Sequence, residues 1–257
     1  MRIKEFVKDL LRPAYRNYLA IKNKGHNVQC NICGREYHDF RPVVGRHADG
    51  SFYLIENHVG SCWLCNSYPR MRQMWLWLTT EYNIKEKRDI RILHVAPEIS
   101  ISGILKKEKN IEYICIDKHC DGYRYPSHVK DGDIQHLDYP NDYFDLVICN
   151  HVLEHVKDDK KAINEIYRVL KSEGKAVLMV PIDYDTPVTD EEKPSENLTA
   201  AEREKRFGQY DHVRLYGLDY FDRLKKAGFM VESLSYDDTV VKKYGFQPGE
   251  ELILCTK

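Results

Sequence analysis

Four short apolar runs, each stopped by a polar or turn-forming residue, set the terms for what this chain can fold into. Ile92-Leu93-His94-Val95 runs into a turn at Ala96-Pro97-Glu98, and Ile111-Glu112-Tyr113-Ile114-Cys115-Ile116 closes on Asp117. Leu146-Val147-Ile148-Cys149 ends at Asn150, and Ala176-Val177-Leu178-Met179-Val180 is stopped by Pro181. Runs this short, mostly without alternation and separated by helical pattern, suit strands buried on both faces of a parallel sheet. The fold class is therefore α/β, with a doubly wound, Rossmann-like sheet. Such sheets bind ligands beyond the carboxyl ends of their strands, where the strand order reverses. Asp117 and Asn150 fall at those ends, so the active site is expected there.

Composition narrows the class further. The chain has 257 residues, enough for one large domain or a medium domain with a small appendage. A net charge of −1 offers no global attraction to nucleic acid or anionic lipid. No apolar run approaches membrane-spanning length, and the N-terminus lacks the layout of a secretory signal, so a cytoplasmic location is expected. Of eight cysteines, four form two tight pairs and the others lie in or beside expected strands. That usage fits a reducing compartment and a metal site better than a disulfide framework.

Residues 1–25 form a basic helical segment. Ile3, Phe6, Val7, Leu10, Leu11 and Tyr18 recur near helical spacing, and Arg2, Lys4, Lys8, Arg12 and Arg16 outnumber the acids. Pro13 should bend or restart the helix. The expected arrangement is a helix packed on the body with a solvated basic face. Residues 26–72 read as a zinc-ribbon-like module. Cys30-Asn31-Ile32-Cys33 and Cys62-Trp63-Leu64-Cys65 are two knuckles, each able to give two thiolates to one tetrahedral ion. Gly34 follows the first knuckle, where the turn needs an unhindered backbone. With Cys30, Cys33, Cys62 and Cys65 all bound, zinc keeps no open position and its role is structural. The aromatic stripe Met74-Trp75-Leu76-Trp77-Leu78 is expected to pack as core.

From about residue 88 the chain resembles a class I S-adenosylmethionine-dependent methyltransferase of the small-molecule branch. The residues that carry the resemblance run from Asp133 through Asp145-Leu146-Val147 to Asn150-His151-Val152-Leu153-Glu154-His155-Val156. They continue with Glu165-Ile166-Tyr167-Arg168-Val169-Leu170-Lys171 and Gly174. The resemblance implies a methyltransferase domain over residues 73–257 and S-adenosylmethionine as cofactor. Its first motif, an acid followed by alternating glycines, here reads His94-Val95-Ala96-Pro97-Glu98. His94, Ala96, Pro97 and Glu98 thus stand where the cofactor's methionine end is held. Asp117, followed by Lys118, is placed to accept the ribose hydroxyls; Asp133 and the Ile134 backbone are placed to meet the adenine. Asn150 falls near the expected sulfonium, and His155 either lines the pocket or caps its loop.

Methyl transfer asks the protein to align the acceptor, exclude water and, for a hydroxyl, remove a proton. His212 is the first candidate base and His151 the second, since imidazole titrates near neutral pH. Arg214 is a candidate for an anionic group on the substrate. Residues 183–208 are acidic and polar and are expected to act as a lid. Three functions remain open: a methyltransferase on a small molecule such as a sugar, a natural-product precursor or a lipid-linked glycan; one on RNA or protein, docking through the zinc module; and a non-catalytic binding protein with a decayed pocket. The near-neutral charge argues against nucleic acid.

Overall fold

We describe the chain from a computed structural model, which covers residues 2–55, 58–120 and 123–257, with only the backbone described for residues 2–10. The chain divides into two compact units. One comprises Met1–Gly45, Tyr53–Lys85 and Ser235–Glu250; the other comprises Arg46–Phe52, Glu86–Leu234 and Glu251–Lys257.

In the first unit, helix α1 (Arg2–Lys22) runs through Pro13 without the break expected there. The side chains of Ile3, Phe6, Val7 and Leu10, and those of Arg2, Lys4 and Lys8, lie outside the described residues. Leu11 and Tyr18, expected on a packed stripe, are exposed, and Ala20 is the buried position. Strand β1 (Lys24–Gln29) pairs antiparallel with β2 (Glu36–Tyr37); β3 (Val44–Arg46) pairs with β4 (Phe52–Leu54), a hairpin whose Arg46–Phe52 portion is assigned to the second unit. Helix α2 (Pro69–Thr80) starts on Pro69, whose missing N–H is no loss in a first helical turn. Its Met74, Trp75, Trp77 and Leu78 are buried, as the stripe requires.

Residues 235–250 belong to this first unit rather than to the sheet domain. Arg72 explains why. Its fully buried guanidinium donates to the carbonyls of Ser67, Gly60, Tyr244 and Gly245. Gln73 Nε2 donates to the Glu250 carbonyl at 3.0 Å, and the Val59 N–H donates to Gln247 Oε1 at 2.8 Å. The division therefore falls near residue 85, not at 72.

The second unit is built on a seven-stranded sheet. Strands β5 (Ile90–Val95), β6 (Ile111–Asp117), β7 (Val129–Asp131), β8 (Phe144–Asn150) and β9 (Leu170–Met179) are parallel to one another. Two antiparallel strands, β12 (Met230–Leu234) and β13 (Leu252–Thr256), complete the order β12-β13-β9-β8-β5-β6-β7. Helices α3 (Ile99–Leu105), α4 (Asp159–Val169) and α6 (Asp219–Lys226) fill the connections. In α4, Asp158 caps the Lys161 N–H at 2.9 Å, and Ala162, Ile163, Ile166 and Val169 recur at helical spacing and are buried. The four apolar runs are the central strands: from Leu146 to Cys149, every residue of β8 is buried. The doubly wound fold expected from those runs is the one observed.

Between β9 and α6 the chain forms a subdomain of its own. Strand β10 (Asp190–Glu191) pairs with β11 (Arg214–Leu215), and helix α5 (Ala200–Phe207) lies between them in sequence. Thr199 and Glu202 cap α5 reciprocally, and Gly208 ends it at φ +82°. Arg203 binds Glu192 at 2.8 Å, while Arg206 binds Asp190 at 2.6 Å and Glu196 at 3.0 Å. The segment read as a lid is thus an internally paired structure.

Candidate functional site

The strand order reverses at β5, which has β6 on one side and β8 on the other. A cavity of about 570 Å³ opens beyond the carboxyl ends of these strands. Its wall is made from the ends of β5 (Val95, Ala96), β6 (Asp117, Lys118), β7 (Gly132, Asp133, Ile134) and β8 (His151, Val152). His155, Asp211 and the tyrosines Tyr123 and Tyr125 complete it.

Two wall residues carry unusual backbones. Ala96 has φ +46° and His151 φ +53°. Left-handed conformations cost an ordinary L-residue about 1–2 kcal/mol, and Asn or Asp take them most readily. Of the non-glycine residues described with positive φ, only Ala96, His151 and Glu173 are neither Asn nor Asp. Two of these three line one cavity, the placement expected of strain held at a functional site. At Ala96 the resembling family has a glycine motif; the chain keeps a turn that suits glycine while carrying a methyl group there. The Ala96 N–H is fixed to the Ile116 carbonyl at 2.8 Å, tying the turn to β6.

Asp117 ends β6 half-buried, and desolvation raises its carboxyl above the usual range, partly countered by the Lys118 backbone N–H. Asp133 follows β7 in a turn. Its Oδ1 accepts from the Gln135 backbone N–H at 2.9 Å and from Gln135 Nε2 at 3.0 Å, and Lys118 Nζ donates to Oδ2 at 2.9 Å. Burial alone would raise this carboxyl, but the Gln135 and Lys118 donors outweigh it and hold the group at about 2. Both carboxylates therefore face the cavity, Asp117 the more available and Asp133 already braced. Ile134 is buried beside them.

His94, Glu98 and Asn150 lie behind the wall rather than on it. His94 is fully buried, with Nδ1 2.7 Å from the Tyr113 hydroxyl and Nε2 2.7 Å from Glu98 Oε2. Asn150 Nδ2 donates to Glu98 Oε1 at 3.3 Å. The chain Tyr113–His94–Glu98–Asn150 joins β6, β5, the start of α3 and β8, and so fixes the turn at Ala96 and the half-buried Pro97. Tyr113 was not singled out by sequence reasoning, because a tyrosine inside an apolar run reads as packing.

Residues 106–178 match the methyltransferase domain family. Over those residues the chain is a methyltransferase domain, and it resembles the class I S-adenosylmethionine-dependent enzymes. YcgJ, an uncharacterised methyltransferase of Bacillus subtilis strain 168, is 31% identical over 107 residues, covering 42% of this chain and 38% of its own. A demethylmenaquinone methyltransferase of Lactobacillus johnsonii is 30% identical over 96 residues, 37% of this chain and 38% of that protein. The chain thus spans well under half the length of these curated relatives. Among solved structures, a SAM-dependent methyltransferase from Archaeoglobus fulgidus aligns over 72% of this chain and 94% of its own at 18% identity, TM-score 0.46. YcgJ aligns over 71% and 94% at 16% identity, TM-score 0.42.

Elsewhere in the methyltransferase domain, the approach to α6 departs from expectation. Arg214 does not reach the cavity. It is buried, and its guanidinium donates to the carbonyls of Leu153, Val156 and Lys157. An arginine with three carbonyl acceptors has no face left for a substrate anion, which corrects the role expected for it. His212 is also buried off the cavity wall, with Nδ1 3.2 Å from the Phe207 carbonyl; desolvation lowers its pKa. His155 and His151 line the wall, and His151 Nδ1 stands 3.4 Å from Glu154 Oε1.

In the first unit the four paired cysteines converge. Their sulfurs all lie within 4.8 Å of one another, with Cys30–Cys65 and Cys33–Cys62 each at 3.6 Å. All four are free thiols, far from disulfide contact. Zinc–sulfur bonds of about 2.3 Å place tetrahedral ligands about 3.8 Å apart, so the donor set fits that ion. The knuckles match one another. Gly34 N–H donates to the Cys30 carbonyl and Asn66 N–H to that of Cys62, and both residues take positive φ. Ser67 Oγ lies 3.3 Å from Cys30 and 3.2 Å from Cys65. Burial pulls the Arg72 guanidinium down to about 10, while the four nearby sulfurs favour its charged form. Arg72 was missed in the sequence because only the fold reveals that it is buried.

Proposed function

We propose that the methyltransferase domain binds S-adenosylmethionine in the cavity between the ends of β5, β6, β7 and β8, and directs its methyl group to a small-molecule acceptor. The carrying observation is the pair of carboxylates, Asp117 and Asp133, on one wall of a cavity at the switch point of the sheet. The cofactor supplies a methyl group already activated on sulfur. The protein's share is to hold and orient it. Asp117 accepts the ribose hydroxyls. Asp133 and the Ile134 backbone meet the adenine edge, with Lys118 yielding its place on Asp133. The left-handed turn at Ala96 brings backbone close to the methionine end, and Asn150, Glu98, His94 and Pro97 hold that turn in place.

His151 is the base we assign for an acceptor hydroxyl. Its position on the wall supports the role, and Glu154 Oε1, 3.4 Å from Nδ1, helps to hold the ring there. His212, off the wall, serves that role less well. Tyr123, Tyr125, Val152 and Val156 add apolar and aromatic surface beside the polar Gln135, Lys157 and Asp211, a mixed lining suited to a small molecule. One relative is named for demethylmenaquinone, and one from Arabidopsis thaliana, 39% identical over 54 residues (21% of this chain and 16% of that protein), for 2-methyl-6-phytyl-1,4-hydroquinone. These names support a small acceptor here. We further propose that Cys30, Cys33, Cys62 and Cys65 hold a structural zinc ion.

Labelled S-adenosylmethionine incubated with cell extract separated into small molecules, RNA and protein tests the acceptor class. Label in the small-molecule fraction, lost with His151→Ala, is expected. Label confined to RNA or protein would overturn it.

A further inference from the structure

We propose that Glu154, His155 and His212 form a second metal site, holding a divalent transition-metal ion, zinc by its donor set, at the wall of the cavity. A carboxylate oxygen of Glu154 and a ring nitrogen of each histidine lie within 4.8 Å of one another. Glu154 is 1% exposed, and no hydrogen bond of normal geometry reaches either of its oxygens among the described residues. His151 Nδ1 stands 3.4 Å from Oε1 without closing such a bond; a buried carboxylate this poorly satisfied is costly, and a bound cation is a direct remedy.

The histidines are already set up as ligands. His212 Nδ1 lies 3.2 Å from the Phe207 carbonyl, and His155 Nδ1 lies 3.2 Å from that of Asp211. A carbonyl only accepts, so each Nδ1 carries the proton and each Nε2 keeps its lone pair. A ligating imidazole that donates its other N–H to a carbonyl is the usual supporting shell of a metal site. The two rings stand edge to face with centroids 4.7 Å apart. The turn that carries Glu154 and His155 and the segment that leads from His212 into β11 are locked together without help from any ion. Val213 N–H donates to the Glu154 carbonyl at 2.9 Å, and Arg214 clamps the carbonyls of Leu153, Val156 and Lys157. That is the work of Arg214: it brings His212 to Glu154 and His155.

Two histidines and one carboxylate form a three-ligand set that leaves a tetrahedral ion one open position. His155 lies on the cavity wall, so the chemistry that would occupy that position is a water or an oxygen of a small molecule. The inference goes beyond methyl transfer and does not depend on it.

Metal analysis of the full chain, equilibrated with zinc and dialysed, tests it, with cobalt substitution as a second readout. The wild type should retain one equivalent more than His155→Ala and Glu154→Gln, with the cysteine-bound ion kept in all three. In the cobalt forms, both variants should lose absorption that has no thiolate character and keep the thiolate-to-cobalt band. Zinc affinity at this site should fall at least about tenfold in His155→Ala, a change at a partly exposed side chain whose folding circular dichroism can confirm. Equal metal content and equal cobalt spectra in wild type and His155→Ala would overturn the site and leave a buried acid balanced by histidines.

Discussion

Ala96 and Asp117 are where single residues decide most. Ala96 holds a left-handed turn that its methyl group disfavours. Ala96→Gly should therefore stabilise the domain by about 0.5–1 kcal/mol, once the greater freedom of glycine in the unfolded chain is subtracted. Chemical denaturation measures this, and destabilisation would show that the methyl group is packed to advantage. Asp117 adds a dependence on pH. Its carboxyl is raised by desolvation, and ribose hydroxyls need the ionised form as acceptor. Cofactor affinity should then be complete above the raised value and fall as the pH drops through it, while Asp117→Asn should be weaker and flat with pH. An unchanged pH profile in the variant would move the ribose elsewhere. Asp117 was legible in the sequence because a carboxylate that ends an apolar run has few other uses. The strain at Ala96 was not, since nothing in the letters His-Val-Ala-Pro-Glu fixes a backbone angle.

At the scale of elements, the loop at residues 153–157 and strand β11 are one assembly held by Arg214. Truncating a buried charge that serves three carbonyls leaves them unsatisfied. Arg214→Ala should lower the stability of the sheet domain by about 3–5 kcal/mol, read by thermal unfolding, and should expose residues 183–215 to protease. A loss under about 1 kcal/mol would mean that the carbonyls find water instead. The strands themselves were readable for a simple reason: a parallel strand buried on both faces is an apolar run, and its end is marked by the first polar side chain. Helix α5, by contrast, went unread in the segment expected to be a lid, although Thr199 and Glu202 stand at capping-box spacing at its start. Arg214 was misread as a substrate ligand because an arginine beside a histidine in a polar loop looks solvated. Only the loop folded against it shows otherwise. Glu154 and His155 sat inside a stretch recognised for its resemblance, yet no local pattern could bring His212 to them.

For the whole molecule, the sequence order is a poor guide to the units. Residues 235–250 return to the first unit through Arg72, Gln73 and Val59, contacts separated by 172, 177 and 188 positions. No periodicity records such a return. Zinc removal should lower the melting temperature of this unit, and Arg72→Ala should lower it too, by orphaning the carbonyls of Ser67, Gly60, Tyr244 and Gly245. A melting curve unmoved by a strong chelator would argue against a metal at the four cysteines. Cofactor binding in the cavity underlies every role proposed for the sheet domain in methyl transfer. Titration calorimetry of the full chain with S-adenosylmethionine addresses that directly. Uptake of one equivalent is expected, weakened about tenfold to a hundredfold by Asp117→Asn, the loss of one charged hydrogen-bonding group. No uptake by the folded, metal-loaded chain, or equal affinity in the variant, would contradict it.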